Sequence, residues 1–414
     1  MQKKLSPFWT LFILTGLNLF NYIDRYILSA VLPSVQKTLD INDGDAGRLV
    51  TAFMLGYFVT SPFFGYLGDR ASRKWLIALG IFVWSLGTVL TGYAGTLAVM
   101  LLFRGMVGVG EASYATISPG WISDTYGREK RNNALTIFYV ALPVGAALGN
   151  ILGGQIDRFW GWRNAFIVAG APCLLLALLL LPFREPRRGE SEGKSDAPEF
   201  SHKPKWDDLF KLFAIPNYLL TVLGYVAYTF ALGAFGFWAP TFLYRVHNIP
   251  KDEAATFFGV VLVITGLIGT LLGGFAATAW QKKNPAGYAC ILGYSVLVAI
   301  PVSFLAFLTS NTTLAMVCIA ADALLLFLST GPVNTLIIET VPVNLRSGAM
   351  AMSIFMIHLF GDVWSPEIVG RLSDYWHSLS KALLILPGAL IVNAALWLVL
   401  AFMMRRPADS RTSA

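Results

Sequence analysis

Long apolar runs recur along almost the whole chain, and this constrains the fold more than any other feature. A helix needs about 20 mostly apolar residues to cross the hydrocarbon of a bilayer. Twelve runs reach that range: 8–33, 46–67, 75–93, 97–120, 133–156, 164–183, 217–242, 254–279, 287–308, 313–338, 347–369 and 381–404. Charged residues make up 13% of the chain, against about 25% in soluble domains. That leaves too little polar surface for a water-soluble fold of 414 residues, whereas lipid tolerates it.

The net charge of +7 points to an anionic surface, either nucleic acid or membrane. The basic residues sit in short clusters between apolar runs, so the membrane reading holds and no nucleic-acid face is expected. Of the 31 Lys and Arg, Lys37, Arg48, Arg158, Arg163, Arg245, Lys251, Arg371 and Lys381 fall in odd-numbered connections, and Arg25 and Arg104 lie inside runs. All others fall at the termini, in even-numbered connections or in the stretch 184–212. This asymmetry predicts cytoplasmic N and C termini, in the inner membrane if the cell is bacterial. Lys3 and Lys4 precede the first run as in a signal peptide, but Asp24 and Arg25 within it argue for a retained helix. Cys173, Cys290 and Cys318 lie in apolar runs without metal spacing.

Most connections are short. The exception, 184–212, is rich in charge, Pro, Gly and Ser, and reads as a linker with a short amphipathic helix near 206–213. It divides the chain into six spans in 1–183 and six in 213–414. The halves resemble each other weakly. Gly65–Lys74 reads GYLGDRASRK, and aligning Gly274 with Gly65 places Lys282 and Lys283 on Arg73 and Lys74, but Thr278 on Asp69. Asp124 and Arg131 share a seven-residue spacing with Glu339 and Arg346. Such repeats are expected of transporters whose halves rock about a central site.

In GYLGDRASRK, Gly65 and Gly68 permit close helix approach, Asp69 can accept hydrogen bonds, and Arg70, Arg73 and Lys74 form a basic cluster. The fifth run carries Gly145, Gly149 and Gly153, each four apart, after Pro143; this spacing allows backbone-to-backbone helix contact. Ionisable residues inside the runs are the sharpest signal, because at bilayer depth they face a partner or a wet cavity. They are Asp24 and Arg25 in the first run, Arg104 and Glu111 on one face of the fourth, Asp322 in the tenth, and His358 and Asp362 at i, i+4 in the eleventh.

The loop GYLGDRASRK resembles the conserved gating loop of the major facilitator superfamily. The strings NYIDRY, RGMVGVGEASYATISP and HLFGDVWSPEIVGRLSD resemble the Spinster family within it, from the first run to the eleventh. The resemblance implies an all-α membrane protein of the major facilitator fold, with twelve transmembrane helices in two six-helix bundles related by a pseudo-two-fold axis. It implies a cavity lined by the first, fourth, fifth, seventh, tenth and eleventh helices. Spinster proteins are implicated in moving lysophospholipids and sphingosine-1-phosphate, with proton coupling proposed. That points to Asp24, Arg25, Arg104, Glu111 and His358 as substrate-binding and proton-coupling residues. Two features depart from the family pattern: Glu367 follows Ser365-Pro366 where a neutral residue is expected, and the second-half loop has lost its acid.

A phosphate-bearing amphiphile needs a cation for its head and an apolar slot for its tail. Arg25 or Arg104 supplies the first, and Asn21, Tyr22, Tyr26, Tyr114 and Phe355 are candidates for the second. Glu111 and His358 are the groups suited to take up a proton. Protonating Glu111 would release an Arg from an ion pair; Arg104 and Glu111 share a helix face. Structural readings stay open: an Asp24–Arg25 pair bridging helices, Arg104 held by Asp69 or a loop carbonyl, His358 as packing, Asp362 merely orienting His358, and Asp322 and Glu339 as structural anchors. No phosphate-cradling Lys-Ser/Thr loop, metal cluster, nucleophile elbow or HExxH motif is present, so ATP-driven transport, a metal, a cofactor or an enzyme is not expected. The expected partners are an amphiphilic anion or lysolipid, protons and membrane lipids, acting on a monomer. The competing functions are transport of a small polar organic anion, and a non-concentrating lipid scramblase or sensor.

Overall fold

The computed structural model describes residues 3–4, 6–180, 182–186, 211–342 and 345–405. Its helices in chain order are α1 (Pro7–Leu39), α2 (Asp43–Arg70), α3 (Arg73–Gly92), α4 (Leu97–Thr125), α5 (Arg128–Trp160), α6 (Trp162–Leu180), α7 (Pro216–His247), α8 (Lys251–Gln281) and α9 (Gly287–Leu308). They continue as α10 (Thr312–Phe327), α11 (Thr330–Glu339), α12 (Arg346–Ile357), α13 (Ser365–Trp376), α14 (Leu379–Leu383) and α15 (Ile385–Arg405). Every expected run forms helix, the sixth only to Leu180 with Phe183 in a short strand. The tenth is split into α10 and α11, the eleventh into α12 and α13, and the twelfth into α14 and α15. A two-residue parallel pairing joins β1 (Lys3–Lys4) to β2 (Phe183–Arg184). Most of the expected linker, including 206–210 of its proposed amphipathic helix, lies outside the described residues; Leu212–Ala214 form a 3-10 turn.

Helix starts follow local chemistry. Ser6 caps α1 through its hydroxyl, with Pro7 in the first turn; Asn42, Thr96 and Asn311 cap α2, α4 and α10. Among the described residues ten helical segments are long and apolar enough to cross a membrane, and Trp162–Leu176 is a shorter apolar helix. The first helix is long enough, but Asn18, Asn21, Asp24 and Arg25 dilute it. The outer surface supports the same conclusion. Leu271, Leu272 and Phe275 of α8 stand more than half exposed, as do Phe63, Trp75 and Phe82. Water would penalise such a surface, and lipid is its natural solvent. The chain is an integral membrane protein.

Contacts divide the protein into two compact units: residues 1–200 with 239–263, and residues 201–238 with 264–414. In the first unit, small residues bring backbones together. A Cβ on Gly108 would collide with the Phe53 carbonyl, and one on Gly56 with the Gly105 carbonyl, so α2 and α4 touch along their backbones. The glycines of α5 do the same against α1: a Cβ on Gly145 would lie 2.6 Å from Tyr22 Cβ, and one on Gly149 2.6 Å from the Ile23 carbonyl. That stripe therefore seats the helix bearing Asp24 and Arg25, as the backbone-to-backbone contact expected from its spacing. In the second unit Gly273 of α8 abuts the Leu328 carbonyl, at the break between α10 and α11.

Candidate functional site

The ionisable residues of α1 and α4 meet in the first unit, in a crossed arrangement. Arg25 Nη2 lies 2.6 Å from Glu111 Oε2. Arg104 Nη1 lies 3.9 Å from Asp24 Oδ1, within ion-pair reach but beyond a hydrogen bond. Thr88 of α3 donates its hydroxyl to Asp24 Oδ2. Two acids thus face two arginines, each acid held by the arginine of the other helix. The shared face of Arg104 and Glu111 is as expected from their spacing, but Glu111 is paired with Arg25. Neither an Asp24–Arg25 pair nor a loop-carbonyl partner for Arg104 is present among the described contacts.

Aromatic rings surround the cations. The Arg25 guanidinium stands 5.3 Å from the Tyr22 ring centroid, 5.0 Å from Phe53 and 5.4 Å from Tyr57, while Arg104 stands 5.0 Å from Phe53. Ring faces attract such cations without neutralising them. Exposure separates the two arginines: the Arg25 side chain is 26% exposed and that of Arg104 2%. Bonding capacity is left unspent. Asp24 Oδ1, Arg25 Nε, Arg104 Nε and Nη1, and Glu111 Oε1 have no hydrogen-bond partner. Buried polar atoms normally find partners, and those that do not point to a ligand, a water or a functional strain.

The remaining candidates are distributed differently. Asn21 is buried beside this cluster on α1, and Tyr26 is half-buried. Tyr114 is fully buried: its hydroxyl donates to the Leu14 carbonyl, and its ring meets Trp84 edge-on. It is seated in helix packing. Phe355 is 41% exposed on α12 of the second unit.

In the second unit, His358 Nδ1 lies 2.9 Å from Asp362 Oδ1 and 3.1 Å from Oδ2, so the expected i, i+4 pair is formed. It sits in a π-helical turn, His358–Asp362, closed by a bond from the Val363 amide to the His358 carbonyl. Such turns leave a carbonyl without its helical donor, and the Trp364 indole supplies one to Leu359 at 2.8 Å. Asp362 is packed against Gly233 of α7, where a Cβ would lie 2.6 Å from Asp362 Cβ. Glu367, the departure noted above, is held by Arg371 of its own helix at 2.6 Å.

The Gly65–Lys74 loop is more tightly built than a solvated basic loop. Gly65 and Gly68, with Arg73 and α4 residues from Thr116 to Asp124, line a cavity of about 310 Å³. Arg73 is buried, with Nη1 2.5 Å from Asp124 Oδ2 and Nε 3.1 Å from Glu185 Oε1. Glu185 also accepts from the Ser72 hydroxyl at 2.8 Å and from the amides of Arg73 and Lys74. Partial burial pushes the Glu185 carboxyl up, but the Ser72 and Arg73 side chains and these amides outweigh it and hold it below its usual range. Arg70 covers the Tyr66 ring at 3.9 Å. The Asp69 side chain lies outside the described residues. Thr278, which replaces the acid in the second-half loop, turns back to the Gly274 carbonyl of its own helix at 2.8 Å.

Four residues of these sites carried no signal in the sequence. Phe53 and Tyr57 are an i, i+4 aromatic pair inside an apolar run, Thr88 is one hydroxyl among many, and Glu185 opens the charged linker.

The chain matches the Major Facilitator Superfamily over residues 14–366. It is 35% identical to "Protein spinster" of Drosophila melanogaster over 379 residues, 89% of this chain and 62% of that protein. It is 35% identical to "Protein spinster homolog 1" of Bos taurus over 380 residues, 87% of this chain and 72% of that one. Among solved structures, a bacterial homologue of the human lysosomal transporter Spinster, in an inward-facing and unoccupied conformation, superposes with a TM-score of 0.87. That match covers 97% of this chain and 99% of the other at 24% identity, so it speaks to the fold. A D-xylose-proton symporter superposes with a TM-score of 0.72 at 17% identity. On this sequence likeness, carried by the fold, the chain belongs to the Spinster-type transporters of the Major Facilitator Superfamily.

Proposed function

We propose that this chain is a proton-coupled secondary transporter of a lysophospholipid or sphingosine-1-phosphate-like amphiphilic anion, working by alternating access. In this reading its two six-span halves are 1–183 and 213–414, joined by 184–212, with both termini cytoplasmic. The supporting observation is the Arg25–Glu111 pair: a half-exposed guanidinium with an unused Nε donor, three aromatic rings around it, and a fully buried acid as its counter-ion.

Protonating Glu111 removes the charge that holds Arg25. The guanidinium then offers its donor fork to a phosphate, while Tyr22, Phe53 and Tyr57 give the adjoining glycerol or acyl chain an apolar seat. Substrate and carboxylate compete for one cation, so proton uptake and anion binding favour each other. Asp24 and Arg104 form a second pair that keeps its neutrality through the cycle, with Thr88 fixing the acid. His358 and Asp362 offer a second titratable pair in the other unit.

The test is flux into liposomes of radiolabelled lysophosphatidylglycerol, with and without an imposed pH step. Accumulation above the equilibrium level, driven by the step, is the expected result, and a scramblase cannot produce it. Glu111→Gln is expected to retain downhill flux and lose the pH drive. Unchanged coupling in that variant would remove Glu111 from the mechanism. Uptake of a small organic anion, with none of the lysolipid, would reassign the cargo.

A further inference from the structure

The second unit holds a buried acid of a different kind from Asp24 and Glu111. Asp322 lies on α10, five residues before that helix ends at Phe327, and is 2% exposed. No Lys, Arg or His among the described residues forms an ion pair with it, and its Oδ1 has no hydrogen-bond partner. Among the described side chains that interact with it are Ser303 of α9, within hydrogen-bonding reach, Tyr228 of α7, and Cys318 one turn earlier on its own helix. None of them carries a positive charge.

The setting is a broken helix. Leu328 and Ser329 separate α10 from α11. The Leu326 carbonyl accepts from the Tyr228 hydroxyl at 2.9 Å and from the Ser329 amide at 3.0 Å. The Ser329 hydroxyl lies 3.1 Å from that of Ser295 on α9. A polar strip thus crosses α7, α9 and the break within otherwise apolar helices. The C-terminal end of a helix carries partial negative charge, which repels a carboxylate and attracts a cation. Discontinuous helices are where transporters place their coupling ions.

An ionised carboxyl without a counter-ion is the costliest group such a site can hold. Asp24 and Glu111 each have an arginine, whereas Asp322 has no cationic partner among the described residues, which suits it to taking its positive charge from a bound proton. We infer that Asp322 is a proton-binding site of the second unit, taking H⁺ onto its carboxylate and giving it up again during transport, separately from Glu111. This rests on the proton-coupled reading above. It adds a second proton carrier, with the strip of Tyr228, Ser303, Ser295 and Ser329 as the local polar route to it.

Infrared difference spectroscopy across a pH titration of the purified protein reads the site without requiring transport. The expected result is a protonated-carboxyl C=O band at neutral pH in the wild type and in Glu111→Gln, absent in Asp322→Asn. Asn mimics the neutral acid in shape, and Asp322→Ser serves as a second variant if Asn does not fold. In liposomes, Asp322→Asn is expected to move lysophosphatidylglycerol with a lower proton-to-substrate ratio than the wild type. A band that persists in both Asp322 variants overturns the site. A lost band with an unchanged ratio overturns the carrier and leaves a fixed proton. If the wild type moves no protons while the band is assigned to Asp322, the proton-coupled reading fails and the binding site stands.

Discussion

Arg25 and Arg104 both lie against the Phe53 ring, yet they are not equivalent. Arg25 is half-open, bonded to Glu111, and has three aromatic rings within about 5.4 Å of its guanidinium. Arg104 is sealed and lies within ion-pair reach of Asp24. Arg25→Lys keeps the charge but loses the ring contacts and the fork, a cost of about 1–2 kcal/mol. Substrate binding, measured by isothermal titration, should weaken roughly tenfold, with only a modest fall in the unfolding temperature from the lost ring contacts. Arg104→Ala should instead act on stability, because it leaves Asp24 buried and unpaired at about 3–5 kcal/mol. Adding Asp24→Asn should recover most of that loss in a thermal unfolding assay. If the single and double variants unfold alike, the pair is not what holds Arg104. At this scale the sequence was informative about which residues matter: a charge at bilayer depth is conspicuous, and Arg104 and Glu111 share a face by spacing alone. It was silent about who pairs with whom, because the partner depends on the register between α1 and α4. That register is set by contacts such as Gly108 on the Phe53 carbonyl, which no local pattern encodes.

At the scale of elements, each of the twelve apolar runs formed helix, the sixth only to Leu180, since length and hydropathy decide that locally. Their interruptions were not legible. The π turn at His358–Asp362 survives because the Trp364 indole bonds the Leu359 carbonyl and the Thr229 hydroxyl of α7 reaches the Ile357 carbonyl at 3.3 Å. The break before Ser329 survives because Tyr228 and Ser295 come from other helices to meet it. Each depends on a neighbour remote in sequence. The start of α3 is a third case. Its Ser72 makes no side-chain cap, and Glu185 takes that place, bonding two first-turn amides where a negative charge is favoured by the helix dipole. The sign of its pH dependence follows. Because the folded carboxyl is held below its usual range, its contribution is fully present above the ordinary Glu value of about 4.3. It is lost as pH falls through the folded value. The wild type should therefore unfold at a higher temperature than Glu185→Gln at neutral pH, and the two should converge on acidification below pH ~4. A gap that widens towards low pH would refute the cap.

At the scale of the molecule, chain order and packing divide the protein differently. Residues 239–263 close α7 and open α8, yet they pack with residues 1–200, and ion pairs fix them there. Arg245 Nη1 lies 2.7 Å from Asp43 Oδ1 and 2.9 Å from Oδ2, with Gln36 donating to the same carboxylate at 2.7 Å. Lys251 lies 2.7 Å from Asp157, and Arg158 2.8 Å from Asp252. All three acids are buried and all three cations are partly exposed. From the sequence these were scattered loop charges, and only the odd-numbered placement of the cations set them apart. The Asp43–Arg245 pair is the best bonded, and a double-mutant cycle between them should give a coupling of ~1.5–3 kcal/mol, in the range of charged hydrogen bonds. Exchanging the residues, Asp43→Arg with Arg245→Asp, should restore only part of it. Asp43 sits in the first turn of α2 with Asp45, where an acid is favoured and an arginine opposed by the helix dipole. All three pairs should weaken as salt rises, Asp43–Arg245 least because its acid is also bonded by Gln36. Unfolding of the single variants at low and high ionic strength measures this. If all three pairs lose stability in parallel, they act as surface charges, and the attachment of 239–263 to the first unit must come from packing such as Gly259 against the Ala147 carbonyl.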